Sequence, residues 1–353
     1  MLKRLLAIIS ILYSSGSIAQ SFTIEGTINA DTGTIELRPL PDTSYYPGHD
    51  GVLITSIKQG HFVFRGSSDH PRAFVVRLSP NYISDMFFVD PGTQSLSCNV
   101  DSVRKVPAIS NTTMEELKDY TAAFDSWNVA FSHLRNKAER DSMRNEQRIV
   151  LLGYARKHRD SFVAFWETAV AFYGNGYRPI YDSIYDQFSE TLKDTYAGRV
   201  FAGNLRSARV TAIGEKLPLL RLVNTHDGPV TVPETDQPFK YVLVDFWYSH
   251  CDACIGQFPD LKKIYADYNA KGFKVIAVST DGPAFVSTTK DWKAAVKAQA
   301  LPWPQYLDAN GKWADQLGVH AFPSNFLLDA GGVILKKNIS PDELRRFLST
   351  ATY

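Results

Sequence analysis

Val242-Leu243-Val244-Asp245-Phe246-Trp247-Tyr248-Ser249-His250-Cys251-Asp252-Ala253-Cys254 is the stretch on which the reading of the chain turns. Val242 to Trp247 is too continuously apolar for a half-exposed strand and too short for most helices, which predicts a central strand buried on both faces. After the cysteines, Ile255, Phe258, Leu261, Ile264, Tyr265 and Tyr268 recur at three- and four-residue steps, the spacing that keeps one helix face apolar. Cys251 and Cys254 are therefore expected at the junction of strand and helix.

That junction has chemical consequences. The first helical turn presents unpaired N–H groups and the positive end of the dipole, and both favour a thiolate over a thiol. A cysteine there has its pKa lowered from about 8.5 into a range of roughly 3.5 to 7.5. With two residues between them, the sulfurs come within bonding reach across one turn, so the pair can cycle between dithiol and disulfide. The competing reading is half of a zinc site, which needs a second Cys/His pair. The only other cysteine is Cys98, and no HxxxH or second CxxC exists. Redox use of Cys251 and Cys254 is the better-supported expectation.

With 353 residues, two or three folded units are expected. A formal net charge of +1, with no basic run, argues against a nucleic-acid partner. At the start, Lys3 and Arg4 precede an apolar stretch from Leu5 to Leu12, and Ser17-Ile18-Ala19 offers small residues for cleavage. This pattern predicts a signal peptide over residues 1–19, with an uncleaved anchor as the alternative. The mature chain is then expected to be soluble and exported. Three cysteines do not staple a chain of this length, whose size supplies its core.

Residues 20–108 alternate in short runs, among them Ser21 to Ile28, Gly33 to Leu37, Gly60 to Gly66 and Ala73 to Leu78, and predict a small antiparallel sandwich or barrel. Cys98 falls in the last of these strands, either as an inert buried thiol or as a third redox partner. Residues 109–210 change to helical steps, seen in Tyr120, Phe124, Trp127 and Phe131, in Phe162, Phe165, Trp166 and Ala169, and in Tyr181, Ile184, Tyr185 and Phe188. Such aromatic stripes read as core; the alternative is a surface for client proteins. From about residue 211 to 353 the order is strand, helix, strand, helix, hairpin, helix, with Phe273 to Asp281 as a second buried strand and Asn325 to Lys336 as the hairpin. The fold class expected is an α/β thioredoxin fold, a central mixed sheet flanked by helices, preceded by the β-rich and helical segments.

Val244-Asp245-Phe246-Trp247 before the CxxC, Gln257-Phe258-Pro259 after it, Leu301-Pro302-Trp303-Pro304 and Val319-His320-Ala321-Phe322-Pro323 make this unit resemble the TlpA/ResA-like branch of the thioredoxin superfamily, grouped with the AhpC/TSA class. The resemblance implies that Cys251 attacks and Cys254 resolves, and that Pro323 is a cis-proline facing the disulfide. It also implies that Asp245 is a buried carboxylate taking the proton of Cys254, and that Pro259 kinks the helix. No cofactor or metal beyond the redox-active Cys251–Cys254 disulfide is implied. The implied partners are periplasmic protein thiols and disulfides and a membrane thiol electron donor, with a link to cytochrome c maturation. His250 stands where relatives carry Trp, Asp252-Ala253 replaces a pair ending in Pro, and Gln257 replaces a Glu, which leaves the redox poise open.

The expected function is exported thiol-disulfide exchange with protein substrates, as a reductant by resemblance. A thiol peroxidase is disfavoured because Tyr248 stands where such enzymes carry Thr or Ser. Copper binding through Cys251, Cys254 and a histidine such as His320 is the non-enzymatic alternative.

Overall fold

The structure, a computed structural model, describes residues 20–47, 51–68, 70–78, 82–101, 107–124, 136–232, 239–283 and 286–351. The expected export segment 1–19, with Trp127 and Phe131, lies outside the described residues. The chain divides into two compact units, Met1–Phe201 and Ala202–Tyr353. Among the described residues no helix is long and apolar enough to cross a membrane.

In the first unit, strands β1 (Gln20–Ile28), β2 (Thr32–Pro39), β3 (Leu53–Lys58), β4 (His61–Ser68), β5 (Arg72–Leu78), β6 (Tyr82–Ile83), β7 (Phe87–Val89), β8 (Gly92–Cys98) and β9 (Ala108–Ile109) form one nine-stranded sheet. Its order is β6-β5-β2-β3-β4-β1-β8-β9, with β7 beside β5. Among the described residues one pair of this sheet, β1 with β8, runs parallel. Alternation of side chains has the same period in both directions, so the sequence pattern carries no sign of it. Gly26 of β1 is set by a close approach: it pairs with Phe62, whose ring lies 2.0 Å from where a Cβ would stand.

Helices α1 (Thr112–Ala122), α2 (Lys137–Lys157), α3 (Phe162–Asn175), α4 (Pro179–Tyr185), α5 (Glu190–Lys193) and α6 (Tyr196–Val210) follow. The aromatic stripe of α3 is core. Phe165 and Trp166 are fully buried, and Trp166 stacks on Tyr46 and donates its indole N–H to Pro71 O at 2.9 Å. The β-rich and helical segments, read separately in the sequence, thus share a core up to Phe201.

The second unit contains β10 (Leu220–Asn224), β11 (Pro229–Val232), β12 (Tyr241–Trp247), α7 (Asp252–Tyr268), β13 (Phe273–Ser279), α8 (Thr289–Gln299), β14 (Gln305–Leu307), α9 (Lys312–Gln316), β15 (Ser324–Asp329), β16 (Ile334–Lys337) and α10 (Pro341–Thr350). The sheet order is β11-β10-β14-β13-β12-β15-β16. β12, β13 and β14 run parallel, while β15 is antiparallel to β12. This is the mixed sheet of a thioredoxin fold. Its two faces bury separate clusters: Leu243 and Trp247 point to the one that includes α7, whereas Val242, Val244 and Phe246 point to the other. A strand covered on both sides is apolar throughout, as β12 is.

Candidate functional site

β12 ends at Trp247, and a short loop carries the chain into α7. That loop is tied down by a carboxylate the sequence reading did not single out. Asp281, 3% exposed and just past β13, accepts the Ser249 N–H at 3.0 and 3.2 Å, the Ser249 hydroxyl, and the Ser279 hydroxyl at 2.5 Å. Thr280 N–H also donates to Trp247 O at 2.9 Å. The available signal was an acid with a serine two residues earlier, closing an apolar strand where backbone groups need partners.

Cys251 is the N-cap of α7, and its Sγ accepts the N–H of Cys254 at 3.1 Å. The two sulfurs are bonded to each other, with Cα atoms 5.2 Å apart, and both residues are buried within the cluster beneath α7. An acceptor sulfur at an N-cap takes up one of the orphan N–H groups of the first turn, the same geometry that stabilises a thiolate on reduction. Around the pair, His250, Asp252 and Ala253 are exposed, so the loop and first turn are open to a partner. The Asp291 carboxyl of α8 lies below the usual carboxylate range, chiefly through hydrogen bonds from Thr288, with a smaller contribution from His250. Pro259 sits inside α7, where it removes the N–H that would bond Ile255 O.

The Phe322–Pro323 peptide bond is cis. Ser324, the next residue, pairs with Phe246, which brings Pro323 to the same end of β12 as the cysteine loop. The Phe322 ring meets Tyr248 edge-on at 5.5 Å.

Asp245 lies in mid-strand, 2% exposed. By the period of two it shares the face of Leu243 and Trp247, the face covered by α7. Its Oδ1 has no hydrogen-bond partner among the described residues. Burial without a compensating charge favours the neutral acid and pushes its pKa up from 3.8 to about 7. A carboxyl at that value both accepts and releases protons near neutral pH.

Cys98 is buried on β8, in the first unit, and burial pushes its thiol up to about 11 against a hydrogen bond with Tyr82. Among the described residues no group of three or more His, Cys, Asp or Glu could hold a metal ion.

Residues 212–351 match the family model described as Redoxin. The thiol-disulfide oxidoreductase ResA of Oceanobacillus iheyensis is 27% identical over 128 residues, 36% of this chain and 64% of that protein. The sporulation thiol-disulfide oxidoreductase A of Bacillus subtilis is 25% identical over 127 residues, 35% of this chain and 73% of that protein. The thioredoxin domain of a thiol-disulfide oxidoreductase from Bacteroides vulgatus is similar in structure, with 30% identity, 39% of this chain and 96% of that domain covered, and a TM-score of 0.35. The chain spans slightly less than two thirds of the first curated relatives it matches.

Proposed function

Residues 212–351 being a redoxin domain of the TlpA/ResA-like thioredoxin superfamily, we propose that the protein is an exported thiol-disulfide oxidoreductase acting on protein substrates. The observation that carries this reading is the bonded Cys251–Cys254 pair at the start of α7, above a sheet face on which the buried Asp245 carboxyl has an oxygen without a partner among the described residues.

In the reduced protein the Cys251 thiolate attacks one sulfur of a substrate disulfide. A mixed disulfide forms and the other substrate sulfur leaves as a thiolate, which takes up a proton. Asp245 then accepts the proton of Cys254, whose thiolate attacks Cys251 Sγ and expels the second substrate sulfur. The substrate gains two electrons and two protons, and the pair ends as the disulfide present in this structure. The cysteine pair is itself the redox centre. Pro323 bounds the groove in which the substrate strand lies beside it. Asp281 holds the cysteine loop through Ser249 and so fixes where the Cys251 sulfur meets its target.

Export to the periplasm rests on the basic and apolar pattern of residues 1–19. Action as a reductant, resupply by a membrane thiol donor and service to cytochrome c maturation rest on the family resemblance. The test is Cys254→Ser in the full chain, expressed with its own leader. Mixed disulfides with exported proteins are expected to accumulate, dissolve in dithiothreitol, and be missing from the Cys251→Ser/Cys254→Ser double variant. Recovery of no adduct under either oxidising or reducing growth would overturn the exchange reaction.

A further inference from the structure

The sheet face that carries Asp245 holds more polar atoms than its hydrogen bonds account for. One register row crosses four strands as Asn325, Asp245, Ala277 and Gln305. Leu327, Leu243, Val275 and Leu307, each two residues away along its own strand, all belong to the cluster that includes α7, so the whole row lies on that face of the sheet. Asn325 has partners at both ends of its amide: its Oδ1 accepts Ile339 N–H at 2.9 Å and its Nδ2 donates to Ile339 O at 3.1 Å. Asp245 and Gln305 do not. Asp245 Oδ1 and Gln305 Oε1 are both buried acceptors without a donor among the described residues, and Gln305 Nε2 reaches only Trp303 O, at 3.5 Å.

Between the two acceptors stands Ala277, a single methyl group in a row of longer side chains. Two strand spacings, about 9.5 Å, separate the backbones of Asp245 and Gln305, and Gln305 Nε2 is turned to Trp303 O rather than to the carboxyl. The same cluster contains the indole N–H groups of Trp247, Trp292 and Trp303, three buried donors without an acceptor among the described residues. Orphan donors and acceptors gathered on one buried face are what an internal water resolves, since it both donates and accepts.

We propose that an ordered water lying over Ala277 links the Asp245 carboxyl to the Gln305 amide, making Gln305 a positioning residue for the proton Asp245 exchanges. Gln305 Oε1 accepts one hydrogen of this water, which turns the other toward the Asp245 carboxylate. The charged carboxyl is thereby stabilised, so Gln305 sets how far burial raises its titration. The role in exchange rests on Asp245 serving as the base for Cys254; the linkage itself does not.

Other titratable groups on this face are few. From α7 come the thiols of Cys251 and Cys254 once reduced, with the phenols of Tyr265 and Tyr268, and Tyr241 and Tyr248 pack at the cluster edge. β13 and β14 contribute none. Asp329, at the far end of β15, accepts the Gly331 and Val333 N–H groups, and Asp281 is held by Ser249 and Ser279.

The experiment follows the Asp245 side-chain carbon by NMR in the full-length disulfide form, where the two cysteines do not titrate, with Asp245→Asn identifying the signal. Gln305→Met, of similar volume, is expected to raise the midpoint by about one pH unit, a tenfold change in proton affinity. Ala277→Val, which adds two methyl groups where the water is proposed and removes no polar group, is expected to shift it the same way, and the double variant no further than the larger single. An unmoved midpoint in the folded variants overturns the linkage, as does a crystal structure of the unaltered chain that is dry above Ala277. Failure of the Cys254→Ser trap with these shifts intact would instead remove the exchange reaction and leave the linkage standing.

Discussion

Replacing Asp245 by Asn should stabilise the second unit, and by an amount that depends on pH in a defined direction. The carboxyl is 2% exposed and titrates at about 7 in the fold, against 3.8 when unburied. Below 3.8 both folded and unfolded chains hold the proton, and the residue adds no pH dependence. Between 3.8 and about 7 the unfolded chain releases its proton first, so stability falls as pH rises. Above about 7 the whole penalty for a buried charge is in place. At about 1.4 kcal/mol per pH unit, that penalty is on the order of 4 kcal/mol. Asn has nearly the same shape and no charge to bury, so the gain of Asp245→Asn should grow from near zero at about pH 4 to roughly 4 kcal/mol at about pH 8. Backbone hydrogen exchange of the β12 and β13 amides in the disulfide form reads the opening free energy of this sheet directly. A gain that stays constant from about pH 4 to 8 would refute the reasoning, because it would mean that the carboxyl ionises as though solvated. The same substitution should slow release of the mixed disulfide by about 10²- to 10⁴-fold, the usual contribution of a positioned general base.

Two further outcomes are expected. Ser249→Ala removes one donor to Asp281 and should cost about 1 to 2 kcal/mol of stability. If the clamp fixes the Cys251 sulfur at the α7 N-cap, the variant should also raise the Cys251 thiol pKa and slow its alkylation several-fold, with Ser249→Thr restoring both; lowered stability with an unchanged alkylation rate would make the clamp merely structural. Cys98, buried and pushed up to about 11, should resist iodoacetamide at neutral pH until the protein is denatured, and labelling of the native chain at Cys98 would contradict its placement.

Which parts of the molecule could be read in advance follows from the range over which each signal acts. β12 and α7 were legible because their patterns are local: an unbroken apolar run, then apolar residues three and four apart, with the cysteines at the join. The aromatic stripe of α3 was legible as core for the same reason. β14 was not, because three residues behind Pro302 and Pro304 show no period, and β3, with only Ile57 buried, hardly shows one. The pairing of β1 with β8 was hidden because strand direction leaves no trace in alternation.

Asp245 falls between these cases, and it explains why the site was only half visible. A lone acid inside an apolar run is conspicuous in the sequence, but its chemistry depends on what stands opposite: Ala277 in place of a cation, Asn325 already bonded to Ile339, and Gln305 one strand further on. Any one of those positions occupied by Lys or Arg would hold the carboxyl ionised and useless as a base near neutral pH. The local run places the acid, and three segments from β13, β14 and β15 decide whether it can take a proton. With a cation in that row the Cys251–Cys254 bond could still form, but the proton acceptor we propose for Cys254 would be lost.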